Sequence, residues 1–201
     1  MRFYLLLAGL TIGEILASNA FASISISLSG SGQTTTSNLE KTTEHSVSAN
    51  VGLSLGQYFS VGVTQRRVFS SDVGYKKGIS ADQKSFIYNS FREDTQTLTN
   101  SVDLTIIPYQ GVVSPFFFGG VARRDYYNQF DYQGVRITNK TSLYPVPNYG
   151  GGLSIQLGQN FSFKVTETFS PGKQMTVDDK NVEHTTTVRD SYTEFGLGYK
   201  F

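Results

Sequence analysis

Two short pairs are the first places to look for catalysis. His45-Ser46 and Glu183-His184 each set an imidazole beside a group able to serve as nucleophile or orienting acid. In a chain this rich in Ser and Thr such pairs arise by chance, so no enzymatic activity is expected from them. Asp178-Asp179 with Glu183 and His184 could gather a cation, but no ligand spacing of a known site is present, and neither a metal nor any other cofactor is expected. The segment from Arg66 to Asp94 carries Arg66, Arg67, Lys76, Lys77, Lys84 and Arg92 against Asp72, Asp82, Glu93 and Asp94. That basic excess could make charge-assisted hydrogen bonds to lipid phosphates, and it equally suits a solvated loop. Arg123-Arg124 is a sharper signal. At least one of the two should turn inward and seek a carboxylate such as Asp103 or Glu194.

What could position these groups is read from the period of the apolar residues. They alternate with polar ones in segments of about ten, which is the pattern of strands. The sets are Ile24, Ile26, Leu28; Val47, Ala49, Val51, Leu53, Leu55; Phe59, Val61, Val63; and Val102, Leu104, Ile106. A fifth segment, Phe116 to Arg124, has apolar residues on both faces. Then come Gly151, Leu153, Ile155, Leu157; Phe161, Phe163, Val165; and Phe195, Leu197, Tyr199, Phe201. Eight strands are expected. The connections alternate in length: Leu55 to Tyr58, Ile107 to Ser114 and Leu157 to Asn160 are short. About Thr35 to Glu44, Arg67 to Gln96, Asp125 to Tyr144 and Ser170 to Thr186 read as long polar loops. GLSLGQYFSVGVT from Gly52 recurs as GLSIQLGQNFSFKVT from Gly152, one hairpin design used twice.

Residues 1–22 have the form of a secretory signal, with Arg2, a largely apolar stretch from Phe3 to Leu16 and the small-x-small run Ala20-Phe21-Ala22. Cleavage is expected before Ser23, which leaves 23–201 as one domain. There is no Cys, so no disulfide framework holds the exported chain. The net charge of +1 gives no overall field for nucleic acid. Mean hydropathy is −0.22, yet a membrane barrel shows lipid only every second residue of each strand, so that value does not exclude a bilayer.

The polar residues between the apolar ones carry charges of both signs. Arg66, Asp103, Lys164 and Glu194 fall on the faces opposite the apolar sets, and Arg123 or Arg124 joins them. In a soluble barrel that face would be the solvated outside. In a membrane barrel it is the inside, and Arg66, Asp103, Arg123, Arg124, Lys164 and Glu194 would form a lumenal network that must be paired to be tolerated. Tyr58, Phe59, Tyr109, Phe161, Tyr199 and Phe201 would lie together at the short-turn end as an aromatic girdle.

These features decide for lipid, and the mature chain resembles the small bacterial outer-membrane barrels, the OmpA/OmpX-like and OmpW-like porin-family barrels. The resemblance rests on the signal segment, eight strands, alternating connections and the terminal Phe201. Val113-Ser114-Pro115-Phe116-Phe117-Phe118-Gly119-Gly120-Val121 and Asn148-Tyr149-Gly150-Gly151-Gly152-Leu153 look like the fifth and sixth strands of such proteins. It implies an all-β, eight-stranded antiparallel up-and-down transmembrane β-barrel, with short periplasmic turns and four longer extracellular loops. It implies that Phe195, Leu197, Tyr199 and Phe201 form the signal read by the barrel-assembly machinery of a Gram-negative outer membrane. Its partners would be outer-membrane lipid and lipopolysaccharide, with the chain a monomer and no peptidoglycan-binding domain after the last strand. The role implied is structural or surface-interacting. A narrow porin is the alternative, and a lipid-A-modifying enzyme built on His45 a third.

Overall fold

A computed structural model describes residues 22–37, 39–79, 86–132, 134–177 and 183–201. The secretory segment expected at 1–22 therefore lies, but for Ala22, outside the described residues. The strands are β1 (Ala22–Thr36), β2 (Glu40–Leu55), β3 (Phe59–Ile79), β4 (Phe86–Ile106), β5 (Val113–Tyr132), β6 (Val135–Gln156), β7 (Phe161–Val177) and β8 (Glu183–Lys200). Each pairs antiparallel with the next, and β8 returns to β1 through Gly30↔Phe195 to Ser25↔Lys200, so the sheet closes on itself. Over the barrel segment closure leaves no strand edge open, the condition for a sheet to cross a bilayer, whereas beyond Gly30↔Phe195 and Tyr149↔Phe169 the β1–β8 and β6–β7 edges part. No helix among the described residues is long and apolar enough to cross one.

Two of the three short connections are tight for local reasons. Gly56 takes φ 77° between Leu55 and Phe59, a left-handed conformation that favours glycine. Pro108 and Gly111 interrupt pairing after Ile106, and the Ser114 hydroxyl closes that turn on the Gly111 backbone at 3.1 Å.

The opposite ends differ from the sequence-based expectation. The stretches read as long loops are mostly paired strand. β3 and β4 stay in register from Arg67↔Leu98 out to Ile79↔Phe86, and β5 and β6 out to Tyr132↔Val135. β1 and β2 pair as far as Thr36↔Lys41, and β7 and β8 as far as Val177↔Glu183. Beyond the bilayer neither face of a ladder meets hydrocarbon. The apolar alternation that marks a strand in sequence then fades while the backbone pairing continues. Among the described residues of this extension, Arg92 meets Asp94 and Arg136 meets Asp131, each at 2.8 Å.

The barrel is inverted relative to a soluble one. Leu28, Val47, Val51, Val61, Val63, Val102, Leu104, Leu153, Phe195 and Leu197 all face outward, with Leu104 47% and Leu197 58% exposed. The residues between them (Ser27, Ser46, Ser48, Arg66, Ser101, Asp103, Asn148, Thr168 and Glu194) are buried. A water-facing barrel would reverse both sets, so the outer surface is made for hydrocarbon. The ambiguous fifth strand resolves on the same rule: Phe117 faces out, while Phe116 and Phe118 line the interior. Tyr58, Phe59, Tyr109, Phe161 and Phe201 are exposed around the short-turn end, and Tyr199 contacts Phe161 and Phe201 with ring centroids 4.9 and 4.8 Å apart.

Candidate functional site

Among the described residues, the charges held away from water gather in the lumen. Its centre is Glu194 on β8. Alternation from the outward Phe195 turns it inward, and its carboxylate accepts four hydrogen bonds. Arg66 gives two, from Nε at 3.0 Å to Oε1 and from Nη2 at 2.9 Å to Oε2. Ser46 and Ser48 on β2 give the others, both at 3.0 Å. Arg66 also donates from Nη2 to the Thr168 hydroxyl at 2.9 Å and lies 5.2 Å from the centroid of the Tyr192 ring. This planar, two-pronged contact uses the guanidinium geometry that a lysine lacks.

Asp103 on β4 is held differently. Its carboxylate accepts from Ser101 Oγ at 2.6 Å, Asn148 Nδ2 at 2.7 Å and Thr64 Oγ1 at 3.4 Å. The space it occupies exists because residue 120 is glycine. A Cβ there would run into the Val102 carbonyl and stand 2.6 Å from Asp103 Oδ1. Arg124 on β5 is wholly enclosed, donating from Nη2 to the Ser170 carbonyl at 2.9 Å and from Nη1 to the Tyr126 hydroxyl at 2.8 Å.

One residue expected in this network is outside it. Arg123 faces away from the lumen and pairs with Asp125 at 3.2 Å, its side chain 61% exposed. The cause is alternation: Arg124 is turned in, so its neighbour is turned out. At this level Ala122 pairs with Val146 and Arg124 with Leu143, so Tyr144 and Pro145 together stand opposite Arg123, a bulge where a proline costs no ladder bond. Nor does Arg124 reach the carboxylates suggested for it, since Glu194 is taken by Arg66 and the two serines, and Asp103 by Ser101, Asn148 and Thr64.

The lumen is shut at this level. Arg124, Thr168 and Ser170 are 0% exposed and Glu194 2%. Every strand from β2 to β8 contributes a buried residue here, with Ser46, Val68, Thr99, Ala122, Val146, Ser170 and Tyr192 among them. Below it, toward the short turns, lies a cavity of about 550 Å³. Its wall runs from Gly56, Gln57, Gln110 and Gly111 at the rim up to Arg66 and Glu194. Lys164 on β7 and the rings of Phe116 and Phe118 face into it.

The other candidates stand apart. His45 and Ser46 are adjacent on β2 and face opposite ways, His45 outward and Ser46 into the lumen, so they cannot act as base and nucleophile on one substrate. Asp178 and Asp179 lie outside the described residues, and Glu183 and His184 start β8. Among the described residues no three His, Asp or Glu side chains stand together as metal ligands. Phe195, Leu197 and Phe201 form an outward row on β8, with Tyr199 in line between them. The contributions of Ser46, Ser48, Thr168, Ser170 and Asn148 were not singled out by sequence. Counting forward by twos from Lys164 along β7 marks the facing of Thr168 and Ser170, though not their contacts.

A solved structure decides the comparison. The major outer membrane protein from Thermus thermophilus superposes with a TM-score of 0.51 at 14% identity, covering 90% of this chain and 99% of that one. The fold is that of a small outer-membrane β-barrel. Other similar structures are the N-terminal β-barrel domain of OprF from Pseudomonas aeruginosa (TM-score 0.49, 12% identity, 89% and 97% covered) and Ail, the attachment invasion locus protein of Yersinia pestis (0.48, 13%, 90% and 97%). No family model and no curated protein matches the sequence.

Proposed function

We propose that this protein is a sealed barrel of a Gram-negative outer membrane, with a structural and surface-interaction role and no enzymatic one. The observation that carries the reading is the closed level of the lumen. A solute pathway needs side chains that touch water from one mouth to the other. Here Arg124, Thr168 and Ser170 have no exposed surface at all. Eight-stranded barrels fill their interior with side chains, and this one does so at the closure with hydrogen-bonded polar groups, Glu194 accepting from Arg66, Ser46 and Ser48. What is offered to the outside is the barrel's extension beyond the bilayer, with Tyr75, Tyr88, Val135 and Ile137 exposed on it. Apolar side chains on a solvated, ion-paired ladder suit contact with another surface.

The same reading assigns partners. Outer-membrane lipid and lipopolysaccharide contact the apolar belt and the outward charges above it. The row Phe195, Leu197, Tyr199, Phe201 serves as the assembly signal, and the chain acts as a monomer. Planar-bilayer recording tests the function directly. The parent protein should give no discrete conductance steps over repeated insertions, and uniform steps in the parent would replace this reading with the narrow porin.

A further inference from the structure

The lumenal cavity holds a cation that the closure does not use. Lys164 faces into it from β7, and its ammonium has neither an ion-pair nor a hydrogen-bond partner among the described residues. The lumenal carboxylates are already engaged, Glu194 by four donors and Asp103 by three. Lys164 pairs with Gly196 of β8, and the end of its side chain reaches over Gly198. A Cβ at Gly198 would stand 2.8 Å from Ser162 Oγ, 3.2 Å from Lys164 Cε and 3.6 Å from Nζ, so the missing side chain makes room for the end of the lysine beside the Ser162 hydroxyl. Lys164 is half-buried, and an ammonium with little water and no counter-charge in contact favours an anion entering the cavity.

The wall beside it is flat and apolar. A Cβ at Gly152 would come within 2.8 Å of the Phe116 ring, and one at Gly150 within 2.7 Å of the Phe118 ring, so both rings lie over glycines of β6. Gly152 pairs with Thr166 and Ser154 pairs with Lys164, which brings these rings to the strand that carries the ammonium. The remaining wall is largely hydroxyl and amide, and the cavity reaches the short-turn rim at Gln57 and Gln110.

We infer that this cavity is a binding site for a small organic monoanion, a carboxylate with a flat apolar body, entering from the short-turn side. The carboxylate meets Lys164 and the neighbouring hydroxyls, and its body rests on Phe116 and Phe118. A volume of about 550 Å³ has room for it, within the range of small-molecule sites.

The test uses the whole barrel in lipid nanodiscs, with lysines carrying ¹³C-methyl labels that keep their charge. Benzoate should shift the Lys164 signal saturably, and neutral benzamide should not. Lys164→Gln should weaken benzoate binding at least about tenfold by ligand-observed NMR, the factor that corresponds to 1.4 kcal/mol. Lys164→Arg, which keeps the cation, should bind within a few-fold of the parent, and heat-modifiable mobility on gels shows that each variant is folded. Phe118→Ala should weaken benzoate while leaving inorganic phosphate, a poorer ligand, unchanged. Equal response to benzamide, or benzoate bound by folded Lys164→Gln as by the parent, overturns the site. Phosphate binding as well as benzoate overturns the aromatic wall.

Discussion

Replacing Glu194 by Ala removes the acceptor of four hydrogen bonds at once. Arg66 keeps Thr168 at 2.9 Å and loses both contacts to the carboxylate, and Ser46 and Ser48 lose their acceptor. Breaking one side of a buried ion pair costs about 3–5 kcal/mol, because a charge is left without compensation. Arg66 also borders the cavity, so water from the short-turn side can reach part of its guanidinium, and the lower end of that range, about 3 kcal/mol, is expected. Glu194→Gln keeps one acceptor and the shape of the side chain, and should cost about 1.5–3 kcal/mol, the worth of a hydrogen bond to a charged group. Arg66→Met with Glu194→Met removes both charges together and should lie within about 1–2 kcal/mol of the parent, since a well-packed apolar pair often replaces a buried ionic one without loss. The assay is reversible urea unfolding in lipid vesicles, followed by tyrosine fluorescence because the chain has no Trp. The inequality matters more than any single value. If Glu194→Ala unfolds within about 0.5 kcal/mol of the parent, the ordinary range for surface changes, the pair is not the closed, desolvated contact described above.

Leu197→Arg puts a cation on the outward row of β8 and should cost about 2–4 kcal/mol near the bilayer midplane, whereas unchanged refolding into vesicles would reverse the assigned facing. Gly120→Val should destabilise the barrel and, in the folded fraction, shift the Asp103 carboxyl signal in ¹³C NMR, because the new side chain enters the space of the Val102 carbonyl and of Asp103; an unmoved signal contradicts that packing. On the extension of β5 and β6, the hydrogen bond from Arg136 holds the Asp131 carboxyl below the ordinary carboxylate range. Its folded pKa is depressed, so its contribution to the hairpin is present above the ordinary value of about 4 and is lost as pH falls through the lowered one. Arg136→Gln should raise the Asp131 midpoint in ¹³C NMR, and an unmoved midpoint would show that the ion pair does not form in solution.

The transmembrane part of this fold was legible because one physical rule wrote it twice. Hydrocarbon outside and a packed polar lumen inside impose opposite demands on neighbouring residues. Leu104 beside Asp103 and Phe195 beside Glu194 therefore announce both the strand and its facing. The rule held wherever one face was greasy and failed on β5, where Phe116, Phe117 and Phe118 are all apolar and all three pair with glycines of β6, so that only alternation from the inward Arg124 and Ala122 fixes which rings go in. It failed again beyond the bilayer. From Arg67 to Tyr75 the outward row Arg67, Phe69, Ser71, Val73, Tyr75 mixes polar with apolar residues while Val68 is buried on the other face, so no clean alternation marks the strand and the paired ladder reads as loop. Arg123 shows the limit for sites. Sequence made one arginine of the pair an inward one, but the choice rests on the register of β5 against β6 and on a two-residue bulge at Tyr144-Pro145, which only the folded sheet supplies.

The arrangement of the closure also explains why the lumen is divided rather than uniformly filled. Arg66, Glu194 and Thr168 come from β3, β8 and β7, so their contacts run across the barrel and tie together strands that share no ladder. Arg124 and Ser170 add a second tie between β5 and β7. Cross-lumen contacts of this kind need long side chains, and they exclude water where they meet. Toward the short turns the same interior positions are Ser25, Gly52, Ser54, Ser60, Gly62 and Gly198, too small to meet at the axis, and the cavity is the volume they leave. Residue size along each strand therefore sets where the barrel is closed and where it is hollow. Enlarging Gly62 and Gly198 should shrink the cavity without touching the closure, whereas cutting Arg66 to Ala should extend the cavity upward without changing the outward surface.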